Sequence, residues 1–452
     1  MAADLTDTSS LDPPDTLSPT GRRAIRGACF GFTVDYFDIY LPVVALTPAI
    51  AYFQAAHTSP ATAATLSYVT LALTLLGRPV GAFIFGRLAD ITGRRRATLI
   101  SVAGAGGCTL LMGLLPGYQV IGWAAMVLVF VLRFIGGVFM GGEYAGANPL
   151  AMEATPRRLR GLVGGLIAAS YPVGYIAISV VVAIVFQFAP TGGLNSPYVQ
   201  WGWRIPFFVG AALSAAFLLY YRRVEESAVF TLARRGGTAG RGDPLKELFT
   251  GAHRRVLVQV LVLMTGMWFT VQATLSALPA LLSTVIGLPS TSVNTGLLVA
   301  NVFLAGGYLG LALLGQRFGR RRMLLLAGLW TALLAPFGYA AMVSQGTRAV
   351  SGAAGVVSVM VLATVVLVLT VSPWGIVSTY LLERFATGVR ASGYGIGYSL
   401  GVLIPGFYAF YLLGLKNFMP YAYTPIVLIV VGGALTAVGA LLGPETRNVE
   451  IG

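Results

Sequence analysis

The chain has 452 residues, 56% of them hydrophobic and only 10% charged, with 30 basic against 16 acidic side chains and a net charge of +14. A mean hydropathy of +0.79 and long, continuous apolar runs exclude a soluble domain and a membrane β-barrel, leaving an all-α polytopic membrane protein. The basic excess reads as a topology signal in cytoplasmic loops, and nucleic acid is not expected as a partner.

Residues 1–25 begin MAADLTDTSSLDPPDTLSPT, which is polar and acidic and has no apolar core. They read as a disordered cytoplasmic tail, not a signal peptide. Apolar runs of about twenty residues then predict twelve spans. They fall near 26–51, 64–88, 97–115, 120–150, 161–187 and 204–221, then near 256–281, 294–315, 322–343, 352–382, 391–414 and 423–443. The first six form an N-terminal bundle over 26–221 and the last six a C-terminal bundle over 256–443. Between them, 222–255 carries RRGGTAGRGDP and reads as a central cytoplasmic loop with little packed structure. Residues 444–452 are a cytoplasmic C-terminal tail.

Charge placement supports this layout. With both termini in the cytoplasm, all of the 30 Lys and Arg residues except Arg78, Arg133, Arg204, Arg348 and Lys416 fall in inner loops or tails. Such asymmetry requires an even number of spans. The halves also repeat. Asp90 to Arg94 follows span two, and Gln316 to Arg320 follows span eight with its Gly-Arg pair kept. Glu153 and Arg160 follow span four, and Glu383 and Arg390 follow span ten at the same interval. Duplicated six-span halves imply a transporter with its site at mid-membrane between them.

Only three of the acids, Asp35, Asp38 and Glu143, fall inside spans away from their ends. A charge there costs roughly 2.5–3.5 kcal/mol on insertion scales, so each needs a partner or a task. Asp35 and Asp38 share a helix face, and Asp38 lies about 18 Å from the start of its span. Burial favours the protonated carboxyl and a nearby Arg the charged one, a balance that suits proton coupling. Arg133 lies on span four with Glu143, and either span-one acid could neutralise it. Arg78 lies about 18 Å above Asp90, as a partner for Asp38 or a ligand for an anionic substrate. Asp35, Asp38, Arg133 and Glu143 are thus the candidate proton-coupling set. Arg78, Tyr36, Tyr171, Trp268, Gln272, Asn301 and Trp374, with Tyr398, are candidates for the substrate site. Asp90, Arg94, Glu153, Arg160, Glu383 and Arg390 read as a cytoplasmic gate of ion pairs that form in one state and break in the other.

Cys29 and Cys108 lie in apolar segments, and His57 and His253 at segment edges. Their spacing predicts no disulfide, metal site or cofactor. No nucleophile–base pair points to an enzyme, and no large soluble domain points to a sensor.

GRLADITGRRR resembles the loop between spans two and three of the major facilitator superfamily. RPVGAFIFG, GGEYAGA, EATPRRLRG, WGWRIPFF, RRVEESAVF, ERFATGVRASG and PETR together resemble its metabolite:proton symporter family. The resemblance implies two six-helix bundles that rock about a central site, and import of small organic acids or compatible solutes with protons. From related sugar porters it further implies that Asp38 pairs with Arg133. The chain departs from the family pattern in Asp35-Tyr36-Phe37-Asp38, Gly136, Ala386 and Gln316. The expected function is proton-coupled symport of a small organic anion, the alternative being an antiporter that exports a drug or metabolite. The expected setting is the inner or plasma membrane, with substrate, protons and the bilayer as partners and a functional monomer.

Overall fold

The computed structural model describes residues 17–55, 60–235, 243–348 and 352–450. Expectations that touch Asp4, Asp7, Asp12, Asp15, His57, Arg241 and the 236–242 part of the central loop lie outside the described residues. Among the described residues every regular element is helical. Twelve helices are long and apolar enough to cross a bilayer. They are α1 (Pro19–Phe53), α2 (Ala72–Thr92), α3 (Arg94–Leu114), α4 (Ala124–Glu153), α5 (Arg157–Phe188) and α6 (Tyr198–Tyr221), then α7 (Gly251–Ser283), α8 (Ser292–Phe318), α9 (Arg320–Gly346), α10 (Ala354–Arg384), α11 (Arg390–Leu415) and α12 (Tyr421–Leu442). All twelve expected spans are present, with shifted edges.

Small residues set how closely these helices approach. Gly77 and Gly81 of α2 face Gly137 and Gly141 of α4. A Cβ at Gly81 would overlap the Val138 carbonyl oxygen, and one at Gly141 the carbonyl oxygen of Arg78. The α2–α4 contact is therefore backbone against backbone, which places Arg78 beside α4. In the second half, Gly266 of α7 and Gly432 of α12 meet in the same way. The two halves join along two seams, α2 against α11 and α5 against α8.

Several helices lose regularity at the end away from the Arg-rich loops. Helix α1 passes into a π turn over Leu41–Leu46 and a 3₁₀ turn over Thr47–Phe53. Helix α7 has π turns over Gln272–Ser276 and Leu281–Val285. Helix α11 opens before Pro405, and Trp268 Nε1 donates to the Tyr398 carbonyl at 3.0 Å. Neighbouring groups thus satisfy backbone that the helix itself leaves unpaired.

Three segments are more ordered than their composition suggests. Helix α1 starts at Pro19, inside the expected tail, because Ser18 caps it by accepting from the Gly21 amide and Pro19 suits the first turn. The central loop carries short helices Ala228–Arg235 and Pro244–Leu248. They bury Phe230 and Leu248. The C-terminal tail docks as well, with Thr446 buried and the Val449 carbonyl accepting from Arg160 at 2.8 Å.

Candidate functional site

The mid-depth charges form two layers. In the first, Arg78 Nη2 lies 3.3 Å from Asp35 Oδ2, and both side chains are almost wholly buried. The Arg78 guanidinium also lies over the Tyr144 ring, 5.1 Å from its centroid. Glu143 is 4% exposed. Its Oε1 packs against Gly31 of α1, where a Cβ would collide with it, and beside Phe217 of α6. That oxygen has no hydrogen-bond partner. Glu143 lies in electrostatic range of Asp35 and Arg78. Ten residues separate Glu143 from Glu153, about 15 Å of helix.

The second layer lies about one turn further along α1. The Thr109 hydroxyl donates to Asp38 Oδ1 at 2.5 Å. Arg133 Nη1 donates to the Asp38 backbone carbonyl at 3.4 Å, with its guanidinium 5.2 Å from the Phe207 ring centroid. The expected Asp38–Arg133 side-chain ion pair is therefore replaced by a contact to the main chain. The direct bridge is Asp35–Arg78. Thr109 occupies the Asp38 carboxylate, and the tight α2–α4 approach brings Arg78 to Asp35.

Aromatic side chains from both halves meet at the level of the first layer. Tyr36 and Tyr171 contact edge to face at 5.0 Å, and the Tyr36 and Tyr398 hydroxyls are 3.4 Å apart. Trp268, Trp374 and Tyr398 form a triangle with centroid separations of 4.9, 5.5 and 5.9 Å. Tyr144 stacks on Tyr398 at 4.6 Å, and Tyr308 approaches Tyr171 at 6.3 Å. Six expected substrate-site residues, Arg78, Tyr36, Tyr171, Trp268, Trp374 and Tyr398, thus join one connected cluster. Gln272 and Asn301 are buried but held by their own helices: Gln272 accepts from Ser276, and Asn301 donates to the Leu297 carbonyl. Sequence reasoning missed Tyr144 and Tyr308, since a single Tyr in an apolar span carries no positional signal.

All six expected gate residues assemble at the Arg-rich end. Glu153 of α4 accepts from Arg390 of α11 at 2.7 Å and lies 3.5 Å from Arg94. Asp90 pairs with Arg94 at 3.3 Å. It also accepts from the Ala391 and Ser392 amides at 3.2 and 2.8 Å, capping α11 across the seam. Arg94 donates to the Thr387 carbonyl of the other half at 2.8 Å. The second half repeats this arrangement. Glu383 lies 3.0 Å from Arg320 and 3.9 Å from Arg160 across the seam. Gln316, although uncharged, stands where Asp90 stands in the first half. It accepts from Arg320 at 2.9 Å and from the Gly161 amide of α5 at 3.1 Å.

Two acids missed in the sequence join this network. Glu226 accepts from the Arg94 and Arg95 amides at 3.0 and 3.1 Å, and Glu445 from the Arg320 and Arg321 amides at 2.8 and 3.1 Å. Each caps the helix that carries the locking arginine. The preceding Gly93 and Gly319 have φ of 111° and 105°, and a Cβ at either would strike the capping carboxylate. Glycine is therefore required there on both counts. The signal was available in part: Glu225 and Glu226 come soon after span six, and Glu445 soon after span twelve.

Twelve membrane helices in two halves, with charges buried at mid-depth in the first half and ion pairs across the seam at one end, are the frame of a membrane transporter. The chain belongs to the Major Facilitator Superfamily, whose model matches residues 28–403. It is 27% identical to the inner membrane metabolite transport protein YhjE of Escherichia coli K12, over 98% of this chain and 99% of that one. It is 28% identical to the shikimate transporter of the same strain, over 94% and 95% of the two chains. It is also 28% identical to that strain's proline/betaine transporter, over 91% and 82%. In fold it matches the proton:xylose symporter XylE bound to 6-bromo-6-deoxy-D-glucose, with a TM-score of 0.77, 16% identity and coverage of 96% and 98%. These relatives are transport proteins, which are not enzymes, and this chain is a multi-pass transporter.

Proposed function

We propose that the protein imports a small organic anion together with protons across the inner membrane, with its Arg-rich end and both termini in the cytoplasm. The observation that carries this reading is the buried Asp35–Arg78 pair among aromatic rings from both halves. While Asp35 is charged, it occupies Arg78. A proton on Asp35 releases the guanidinium, leaving a buried cation that needs an anionic partner. A substrate carboxylate fits Arg78, and Tyr36, Tyr171, Trp268, Trp374 and Tyr398 surround its apolar body. Proton and anion then enter as one neutral set, and the emptied site returns with Asp35 and Arg78 paired again. Glu143 tunes this layer from α4, and Asp38, Thr109 and Arg133 hold α1 to α3 and α4. The lock formed by Asp90, Arg94, Glu153, Arg160, Glu383 and Arg390 keeps the cytoplasmic end shut while the site faces outward.

The relatives support this reading: one is named for shikimate, an organic acid, and XylE is titled a proton symporter. Binding-induced thermal shifts over mono-, di- and tricarboxylates, shikimate-like acids and betaines identify the ligand. Proteoliposomes loaded with a pH dye then give the direction. Entry of that ligand acidifies the lumen in symport. Lumenal alkalinisation on ligand entry rejects symport in favour of the antiporter.

A further inference from the structure

We propose that a cleft at the Arg-rich end of the second half binds the headgroup of an anionic phospholipid. The cleft has a volume of about 690 Å³ between the first turns of α7 and the end of α12, lined by Gly251, Arg254, Arg255, Val258, Gln259 and Leu442. Arg254 and Arg255 are exposed there, and neither forms an ion pair or side-chain hydrogen bond among the described residues. At the floor the buried Gln259 amide is fixed by bonds to the Tyr380 hydroxyl at 3.3 Å and the Gly439 carbonyl at 2.6 Å. Its Oε1 accepts from Arg384 at 3.2 Å, which holds a third guanidinium at the back of the site. Arg321 donates to the Ala440 and Leu441 carbonyls at 3.2 and 3.0 Å, adding a fourth cation beside the end of α12. The nearby acids are engaged elsewhere. Glu247 sits 3.4 Å from His253, and Glu445 caps α9.

The walls distinguish a lipid from a soluble anion. Val258 lies one turn deeper than Arg254 and is 52% exposed, and Leu441 and Leu442 are 52% and 62% exposed. Guanidinium groups therefore line the mouth at headgroup height, and apolar side chains continue toward the hydrocarbon. A phosphate carrying acyl chains satisfies both surfaces, whereas a free phosphate satisfies only the first. Arg384 adjoins Glu383, so a headgroup drawn to the cleft sits next to the α10 part of the lock.

The test uses the purified full chain in detergent, with lipid retention read by native mass spectrometry and thermal shift. The probes are phosphatidylglycerol, phosphatidylcholine and inorganic phosphate, each with wild type, Arg254→Gln/Arg255→Gln and a control pair, Arg222→Gln/Arg223→Gln, on the same face. Wild type and the control are expected to retain phosphatidylglycerol over phosphatidylcholine. The cleft variant should bind phosphatidylglycerol about thirtyfold more weakly, two interfacial arginines' share. Its melting temperature in phosphatidylcholine should stay at the wild-type value, which shows that it folds. Equal loss in the control pair overturns the site in favour of diffuse surface charge. Stabilisation by inorganic phosphate equal to that by phosphatidylglycerol overturns the lipid assignment, and unchanged retention in the cleft variant overturns the cleft itself.

Discussion

Asp35→Asn is the sharpest test of how a proton is tied to an anion here. The substitution keeps the shape of the side chain and removes its charge, so Arg78 loses the partner that sits 3.3 Å away. In wild type an incoming carboxylate must displace that partner, unless a proton has already neutralised it. A hydrogen bond to a charged group contributes about 1.5–3 kcal/mol, so the variant should bind the anion roughly 10- to 150-fold more tightly at neutral pH. Its affinity should no longer depend on pH. Because loading requires Asp35 to be protonated, wild-type accumulation rises as the outer solution becomes more acidic than the lumen. One proton per anion gives about tenfold accumulation per pH unit. That movement is electroneutral for a monoanion, so an imposed potential leaves the ratio unchanged. A second proton would instead add about 2.3 kcal/mol per 100 mV. The assay is labelled-substrate uptake into proteoliposomes under an imposed pH gradient, with counterflow at equal pH as the control. The variant should lose accumulation and keep counterflow. Concentrative uptake by Asp35→Asn with wild-type pH dependence refutes the reasoning and moves the proton to Glu143 or Asp38.

The other residues give equally direct outcomes. Asp38→Asn should leave coupling intact but lower thermal stability by about 1.5–3 kcal/mol, because the Thr109 hydroxyl loses its charged acceptor and the buried Arg133 a neighbouring negative charge. Adding Arg133→Gln should recover part of that loss, and an unchanged melting temperature in the single variant would show that the second layer holds nothing. Asp90→Ala removes the acceptor for the Ala391 and Ser392 amides. A lost cap costs about 1 kcal/mol, so alkylation of a cysteine at Ala145, buried near Gly395 in the seam, should rise about fivefold. An unaltered rate would separate Asp90 from the lock. Gly81→Leu should abolish stable expression, since even a Cβ there overlaps α4 backbone; normal yield would contradict the α2–α4 packing. Cysteines at Val120 and Phe418, 73% and 86% exposed, should react with impermeant label from outside intact cells and one at Arg223 only from inside. Reversed labelling would invert the topology.

Hydropathy and the spacing of basic loops made the twelve helices legible, because desolvation acts on each segment independently. The lock was legible for a related reason: duplication wrote Glu153–Arg160 and Glu383–Arg390 twice at one interval. Pairing at mid-depth was not. Asp35 and Asp38 lie three apart on one face, so only the rotation of α1 against α2 and α4 decides which acid meets which arginine. Glycine contacts at Gly77, Gly81, Gly137 and Gly141 fix α2 against α4, and Gly31 seats α1 against Glu143; their partners cannot be read from the chain. Glu226 and Glu445 looked like solvated loop acids because capping depends on where a loop folds back. The 19–25 segment and the C-terminal tail were underestimated for the same reason.

The doubled lock also bears on leakage. Its cross-seam contacts come in two related sets, Glu153 with Arg390 and Glu383 with Arg160, and the carboxylates of both acids are fully buried. Each acid keeps an arginine of its own half, Arg94 or Arg320, so releasing one set alone would leave the buried Arg390 or Arg160 without its carboxylate against a half-closed seam. Intermediate widths are therefore the least populated. If the six residues gate the cytoplasmic end as proposed, water and ions would meet a door that is shut or wide open, and seldom one ajar. In the proposed transport cycle, that all-or-none character would keep the centre from touching both solutions at once, so an ion gradient would not be short-circuited between turnovers.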